Sequence, residues 1–168
     1  HNRELLQKIN PDGKKIILGV ANTWKMRKAF EDFLILSSII DNSTIILLVG
    51  LEKSMTDKLP DNITGINRTE DIDALAALYT AADVFVNPTY ADNFPSVNLE
   101  ALACGTPVAT YNTGGSPETI DEETGRVVEK GDIRGLAASI YDLMDKDRDK
   151  MRNLCRNRAI KLYDSNVK

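Results

Sequence analysis

The segment DVFVNPTYADNFPSVNLEALACGTPVAT, residues 83–110, decides the predicted fold. It starts with the short apolar run Asp83–Asn87 and ends with a second such run, Pro107–Thr110, and each has the length of a buried strand. Between them, Ser96–Cys104 has the apolar spacing of a helix, and Gly105 stands where a left-handed residue commonly ends one. A strand, a helix and a second strand in this order predict a unit of parallel β-sheet.

The same alternation continues on both sides of this unit. Short β-branched runs indicate buried parallel strands, and the longer amphipathic stretches between them indicate helices. The further strands are predicted at Lys15–Val20, Thr44–Val49, Ile63–Ile66 and Arg126–Val128. The further helices are predicted at Arg27–Ile40, Asp71–Ala81, Ile133–Met144 and Met151–Tyr163, with the charged run Asp145–Lys150 as a solvated turn. This order predicts an α/β fold, a doubly wound, mostly parallel Rossmann-like sheet of about six strands.

Length and composition narrow the functional classes. The 168 residues correspond to a single domain, residues 1–168, at about 150 residues per domain. The net charge of −4 argues against nucleic acid as a partner. With two cysteines and a single histidine, His1, the chain is not expected to hold a His- or Cys-based metal site or a Ser-His or Cys-His nucleophile. No apolar run reaches membrane-spanning length and no signal peptide is recognised, so the expected compartment is the cytoplasm.

Two loops are the candidate ligand sites, because open α/β sheets bind ligands at the carboxyl ends of their strands. The loop 88–96 leads into a predicted helix, with Ser96 as the expected N-cap and Glu100 about one turn inside. The free N–H groups at such a helix start favour an anion. In the second loop, Gly114 and Gly115 let the backbone approach a ligand closely. The chain has no P-loop and no GxGxxG after its first strand, so an ordinary ATPase or dehydrogenase is not indicated.

Several segments resemble the donor-binding half of retaining GT-B glycosyltransferases, most closely the group 1, family-four branch. These segments are Ala82–Thr89, Asp92–Pro95, Leu99–Val108, Gly114–Glu118 and Thr124–Val128. The resemblance implies a C-terminal Rossmann-like domain of an enzyme of the polysaccharide-biosynthesis type. Such an enzyme transfers a glycosyl group from a nucleoside-diphosphate sugar to an acceptor hydroxyl and retains the anomeric configuration.

The family's signature is a pair of acidic residues eight positions apart, which here are Asp92 and Glu100. The resemblance makes these the catalytic positions. Glu100 would accept hydrogen bonds from the ribose hydroxyls of the donor, and Asp92, shorter than the usual Glu, would face the transferred sugar. Carboxylates suit both tasks because they are strong acceptors for hydroxyl groups. The resemblance adds these donor-binding positions: Asn93, Phe94, Pro95, Ser96, Val97, Gly114 and Gly115.

Basic residues are expected around the diphosphate, because negative charge builds on the leaving group in the transition state. Lys28 matches the family's diphosphate-binding lysine, although Ala29 follows it where the family has Gly. Asn22 stands where the family has an Arg, and Arg27 is the expected replacement for that charge. Arg68 lies in the loop expected near the nucleobase. The resemblance implies no cofactor and no required metal.

The resemblance accounts for only one of the two Rossmann-like domains that a GT-B enzyme needs. It therefore implies an N-terminal acceptor domain of the same parent protein as the partner, and the fragment alone is expected to be inactive. Proximity to the inner face of the membrane stays open through the parent, because many such enzymes use lipid-linked acceptors.

Three alternatives stay open at this stage. The departures at Asn22, Ala29 and Asp92 favour a catalytically degenerate module that binds nucleotide or only scaffolds a partner. A GT-B epimerase or phosphorylase would lack the context around Phe94 and Glu100. A flavodoxin-like signalling domain would need an acidic cluster after the first strand, which the chain does not offer.

Overall fold

The computed structural model describes residues 2–21, 27–67, 71–91 and 95–167, with backbone only for Arg27, Lys28 and residues 165–167. Its sheet contains β1 (Lys15–Val20), β2 (Thr44–Val49), β3 (Ile63–Ile66), β4 (Val84–Asn87), β5 (Val108–Tyr111) and β6 (Gly125–Val128). All neighbouring strands are parallel, in the order β3-β2-β1-β4-β5-β6. This is the Rossmann order, so the predicted fold class is confirmed.

Helices cover both faces of the sheet. They are α1 (Asn2–Ile9), α2 (Arg27–Ile39), α3 (Lys53–Thr56), α4 (Ile72–Ala81), α5 (Ser96–Ala103), α6 (Ser116–Thr119), α7 (Ile133–Met144) and α8 (Arg148–Val167). The chain moves from β1 to β2 in one direction and from β3 to β4 in the other, so right-handed crossovers place α2 and α4 on opposite faces. Packing follows this division, because α2 contacts α7 while α5 contacts α4 and α8.

The strands are apolar throughout because both faces are covered. Ile17 and Leu18, consecutive residues of β1, point to opposite faces and are both fully buried, as are Val84 and Phe85 of β4. Burial on both faces explains why these strands are continuous β-branched and aliphatic runs without alternating polar residues. The strand order reverses between β1 and β4, which leaves a crevice at their carboxyl ends.

The sequence placed the strands within a residue or two, but two predictions about helix starts need correction and three short helices were missed. Ser96 was predicted as the N-cap of α5, but Pro95 is the N-cap and makes no side-chain hydrogen bond, because the helix already begins at Ser96. The run Asp145–Lys150 was predicted as a solvated turn, but α8 begins inside it at Arg148. The short helices α1, α3 and α6 were not predicted. Two other helices are capped by aspartates: Asp71 accepts from the backbone N–H groups of Asp73 and Ala74 at the start of α4, and Asp132 from that of Gly135 at the start of α7.

The amino end of β4 is fixed by charges around Asp83. One carboxylate oxygen of Asp83 accepts the backbone N–H of Ile16 at 2.8 Å, and the other pairs with the Arg148 guanidinium and lies 3.7 Å from Lys15 Nζ. Arg148 Nη2 also donates to the carbonyls of Thr80 and Ala82 at 2.9 and 3.0 Å, which caps the end of α4. This cluster therefore joins the first residues of β1 and β4 to α4 and α8 at the amino edge of the sheet.

Candidate functional site

The loops that follow β4 and β5 are held together at the carboxyl edge of the sheet. Asn87 and Thr110 are register partners, and Thr110 Oγ1 donates to the carbonyl of Asn87 at 2.9 Å. Further along, Thr113 Oγ1 donates to the carbonyl of Thr89 at 2.7 Å. The two loops that the sequence selected as candidate ligand sites therefore begin side by side, and hydroxyl-to-carbonyl bonds join them at their first residues.

A buried amide connects the start of α5 to α6. Asn98 is fully buried, accepts from Asn87 Nδ2 at 2.9 Å, and donates from Nδ2 to Thr119 Oγ1 at 3.2 Å. Thr119 in turn donates to the carbonyl of Ser116 at 2.7 Å. Because a buried amide is costly unless its polar atoms are paired, this network fixes α5 and α6 relative to the end of β4.

The amino end of α5 can bind an anion. The first N–H groups of an α-helix lack intrahelical acceptors, and Pro95, the N-cap residue of α5, makes no side-chain hydrogen bond to them. Ser96 is exposed and Val97 half-buried at this end. Beside it, Gly114 has a φ of 50°, in the left-handed region, and Gly115 is the N-cap of α6. Free N–H groups with the positive end of the helix dipole are a suitable arrangement for phosphate oxygens.

Glu100 is the fifth residue of α5 and lies against α4. Glu100 is exposed, and its Oε2 accepts a hydrogen bond of 2.9 Å from the hydroxyl of Tyr79. Tyr79 is buried, and burial together with the Glu100 charge raises the pKa of its hydroxyl well above the usual value. Tyr79 therefore stays a hydrogen-bond donor and orients Glu100. The sequence alone does not predict this contact between α4 and α5.

A second carboxylate, Asp32 of α2, lies at the same edge of the sheet. Asp32 is buried, and its Oδ2 accepts hydrogen bonds of 2.6 Å from both Tyr90, in the loop after β4, and Tyr111, the last residue of β5. The two rings meet edge to face, with centroids 5.6 Å apart. Burial, followed by the hydrogen bond to Asp32, raises the pKa of Tyr90 to about 12 and that of Tyr111 further.

Neither a cluster of metal ligands nor a membrane-spanning helix occurs among the described residues. Within the described ranges, no three His, Cys, Asp or Glu side chains come together as a metal site requires. None of the helices in that same part of the chain has the length and apolar character needed to span a membrane.

Comparison with known proteins identifies the family. A family model described as glycosyl transferases, group 1, matches residues 14–146. The chain belongs to the group 1 glycosyltransferases. The resemblance recognised in the sequence is thereby confirmed, and the six-stranded parallel sheet is the Rossmann-like domain of a GT-B glycosyltransferase.

Relatives with assigned names are glycosyltransferases of several kinds. The capsular polysaccharide biosynthesis glycosyltransferase CapM of Staphylococcus aureus is 39% identical over 72 residues, which are 42% of this chain and 19% of CapM. A GDP-mannose-dependent monoacylated alpha-(1-6)-phosphatidylinositol monomannoside mannosyltransferase of Corynebacterium glutamicum is 35% identical over 102 residues, or 56% of this chain and 26% of the relative.

A solved structure matches nearly the whole fold. Sucrose-phosphate synthase from Thermosynechococcus elongatus is 30% identical, with a TM-score of 0.77 over 95% of this chain and 44% of that protein. The matches thus span less than half of each of these three proteins.

In this glycosyltransferase domain, the described candidate residues gather at the carboxyl edge of the sheet. Pro95, Ser96 and Val97 start α5, and Gly114 and Gly115 precede α6. The backbone of Arg27 and Lys28 opens α2, which follows β1, the neighbour of β4. The remaining candidates lie outside the described residues: Asn22, Arg68, Asp92, Asn93 and Phe94.

Asp32 was missed in the sequence, although a signal for it is present. It shares the four-residue spacing of the buried residues Leu36 and Ile40, so it falls on the buried face of α2. A carboxylate on an otherwise apolar face needs polar partners, and this requirement marks Asp32 as a candidate.

Proposed function

We propose that the chain is the donor-binding domain of a retaining glycosyltransferase, and that it binds a nucleoside-diphosphate sugar at the carboxyl ends of β1 and β4. The observation that carries the proposal is the convergence of the start of α5, with Pro95 as its N-cap, a glycine loop and the start of α2 at this switch point. Family membership supplies the reaction class, and the mannosyltransferase relative is by name GDP-mannose-dependent, which supports a nucleotide sugar as the donor.

Each group has a role in this proposal. Backbone N–H groups of Ser96, Val97 and Gly115 bind phosphate or sugar oxygens, and Lys28, with Arg27, supplies positive charge to the diphosphate. Glu100, oriented by Tyr79, accepts hydrogen bonds from the ribose hydroxyls. Asp92 faces the transferred sugar, and Arg68 lies near the base. No metal is required.

The proposed transfer retains the anomeric configuration. The bond from the anomeric carbon to the diphosphate oxygen breaks, and the acceptor oxygen bonds to the same face of that carbon. The acceptor proton passes to the leaving diphosphate, while basic side chains and the α5 dipole stabilise the charge that develops there.

The proposal includes a second domain that binds the acceptor. The matched segments cover less than half of the length of the relatives. In addition, α8 has apolar side chains that are exposed in this domain. Ile160 and Tyr163 are 59% and 64% exposed, and with Leu99 of α5 they line an open groove of about 530 Å³. A contiguous exposed apolar surface is typical of a site that contacts another domain. Without that domain the cleft cannot exclude water, so the chain alone is inactive. A cytoplasmic location belongs to this proposal.

Calorimetric titration of the chain with UDP, GDP and ADP, and then with the matching sugar nucleotides, tests the proposal. One nucleotide should bind, and Glu100→Gln should weaken it about tenfold or more, the usual effect of losing a hydrogen bond to a charged group. Glu123→Gln is the matched control, since Glu123 is an exposed acid in the turn before β6. The absence of binding at millimolar concentration, or equal effects of both variants, would contradict the proposal.

A degenerate nucleotide-binding module is the second candidate, favoured by Asn22 where the resemblance expects an Arg. The Ala29 departure supports it less, because Ala29 is buried within α2, where Ala is a better helix former than Gly. A module of this kind would bind the nucleotide, while the two-domain parent protein would release no nucleoside diphosphate from any sugar nucleotide it binds. Release that depends on an acceptor would exclude it.

A further inference from the structure

The cluster of Asp32, Tyr90 and Tyr111 joins three elements of the donor site. Asp32 belongs to α2, Tyr90 to the loop that leads into α5, and Tyr111 ends β5, three residues before Gly114. The residues it connects are distant in sequence, since Tyr90 and Tyr111 lie 58 and 79 positions from Asp32. The cluster thus connects the elements on which the proposed function depends.

The geometry of the cluster is tight. Both hydroxyls donate to the same oxygen, Oδ2, and both distances are 2.6 Å, within the range of charge-assisted O–H···O⁻ bonds. Edge-to-face packing of the rings adds a second restraint on Tyr90. A third comes from Lys130, whose Nζ lies 5.9 Å from the centroid of the Tyr90 ring. The loop after β4 is therefore restrained from the sides of α2, β5 and the loop after β6.

A buried carboxylate is an unfavourable choice if the cluster only stabilises the fold. Burying a carboxylate costs solvation energy, and well-packed apolar side chains of similar volume often stabilise a protein as much or more. A buried carboxylate with two directed hydroxyl donors does, however, fix angles and distances that apolar packing leaves looser. Such a cluster is useful where a loop must be held in one position for a ligand.

We propose that Asp32 is a positioning residue of the donor site: through Tyr90 and Tyr111 it holds the loop after β4 against the start of α2, so that both contact one nucleoside diphosphate. This inference rests on the proposed function. It assigns Asp32 no contact with the donor; its effect reaches the ligand through the position of the loop and of α5 behind it.

The test compares the nucleotide affinity and stability of three variants. Asp32→Asn keeps the shape and removes the charge, and Tyr90→Phe and Tyr111→Phe each remove one hydroxyl with little risk to folding. Tyr141→Phe is the matched control, because the hydroxyl of Tyr141 accepts the backbone N–H of Asp41 at 2.9 Å just after the other end of α2. Each is titrated with UDP, GDP and ADP, and each is unfolded in urea.

The expected result is a selective loss of affinity. Asp32→Asn should weaken nucleotide binding about tenfold and Tyr90→Phe at least threefold, while Tyr141→Phe stays within twofold of the wild type. The double variant Asp32→Asn/Tyr90→Phe should bind no worse than Asp32→Asn alone, because both changes break the same contact. Amide hydrogen exchange in residues 88–91 should be faster in Asp32→Asn and in Tyr90→Phe than in the wild type.

Two other results separate the failure of this inference from that of the proposed function. If Asp32→Asn and Tyr90→Phe lower the stability but bind the nucleotide as the wild type does, the cluster is structural only and the donor site stands. If the wild-type chain binds none of the three nucleotides, the proposed function fails, and the positioning role falls with it.

Discussion

A carboxylate lies near each end of β4, and the two are held in different ways. At the amino edge, the described partners of Asp83 include two cations, Lys15 and Arg148. At the carboxyl edge, the described partners of Asp32 are two tyrosine hydroxyls. A cation neutralises a carboxylate, whereas a hydroxyl orients it and leaves its charge. The comparison suggests that the amino edge is arranged for stability and the carboxyl edge for a ligand.

The position of ligand sites in open α/β sheets agrees with this difference. Such sheets bind at the carboxyl ends of their strands, where the loops can vary without disturbing the core. The amino edge of this sheet is instead crossed by Arg148, which ties β4, α4 and α8 together. Substitutions at the two edges should therefore separate stability from binding.

The largest effect is expected for Asp83→Ala. It removes the carboxylate partner of the Arg148 guanidinium and the acceptor of the backbone N–H of Ile16, and the loss of hydrogen bonds to a charged group costs about 3 kcal/mol of unfolding free energy. Urea unfolding should show this loss, while the affinity for the nucleotide stays that of the wild type. Lys15→Met is the control. It should lower the unfolding free energy by well under about 1 kcal/mol, because Lys15 is exposed and its Nζ comes no closer than 3.7 Å to the carboxylate. A weakened nucleotide affinity in Asp83→Ala would contradict the division of roles.

A smaller effect is expected for two glycines at opposite edges. Gly13, before β1, and Gly114, after β5, have φ values of 62° and 50°, so an alanine at either position costs about 1 kcal/mol of backbone strain. Both variants should lose similar stability in urea unfolding. Only Gly114→Ala should also weaken nucleotide binding, because its loop lies beside the start of α5. Equal affinities in the two variants would show that the glycine loop does not take part in the site.

The fold was largely predictable because its signals are local. A short, β-branched apolar run such as Thr44–Val49 favours a strand covered on both faces, and the structure confirms that strand residue for residue. Helix ends with a local signal, such as Gly105 with its φ of 83°, were also placed correctly. The run Asp145–Lys150 was misassigned because its charges are typical of a turn. Arg148 there finds its partner Asp83, 65 positions away.

The candidate site was predictable only in part. The motif around Glu100 placed it on the correct helix, but the contact with Tyr79 depends on how α4 packs against α5. The Asp32 cluster depends on three elements meeting at one edge, which spacing within a single element does not encode. Local pattern therefore locates the loops of the site, and long-range packing decides which side chains support them.

Amide chemical-shift mapping on the labelled chain, with the nucleotide that binds, tests the central claim most directly. The account predicts shifts in residues at the carboxyl edge: Tyr90, Val97, Gly114 and Gly115. Amides at the amino edge, at Lys15, Asp83 and Arg148, should stay unchanged. Shifts confined to the amino edge, or spread evenly over both edges, would contradict the claim that this glycosyltransferase domain binds its donor where β1 and β4 end.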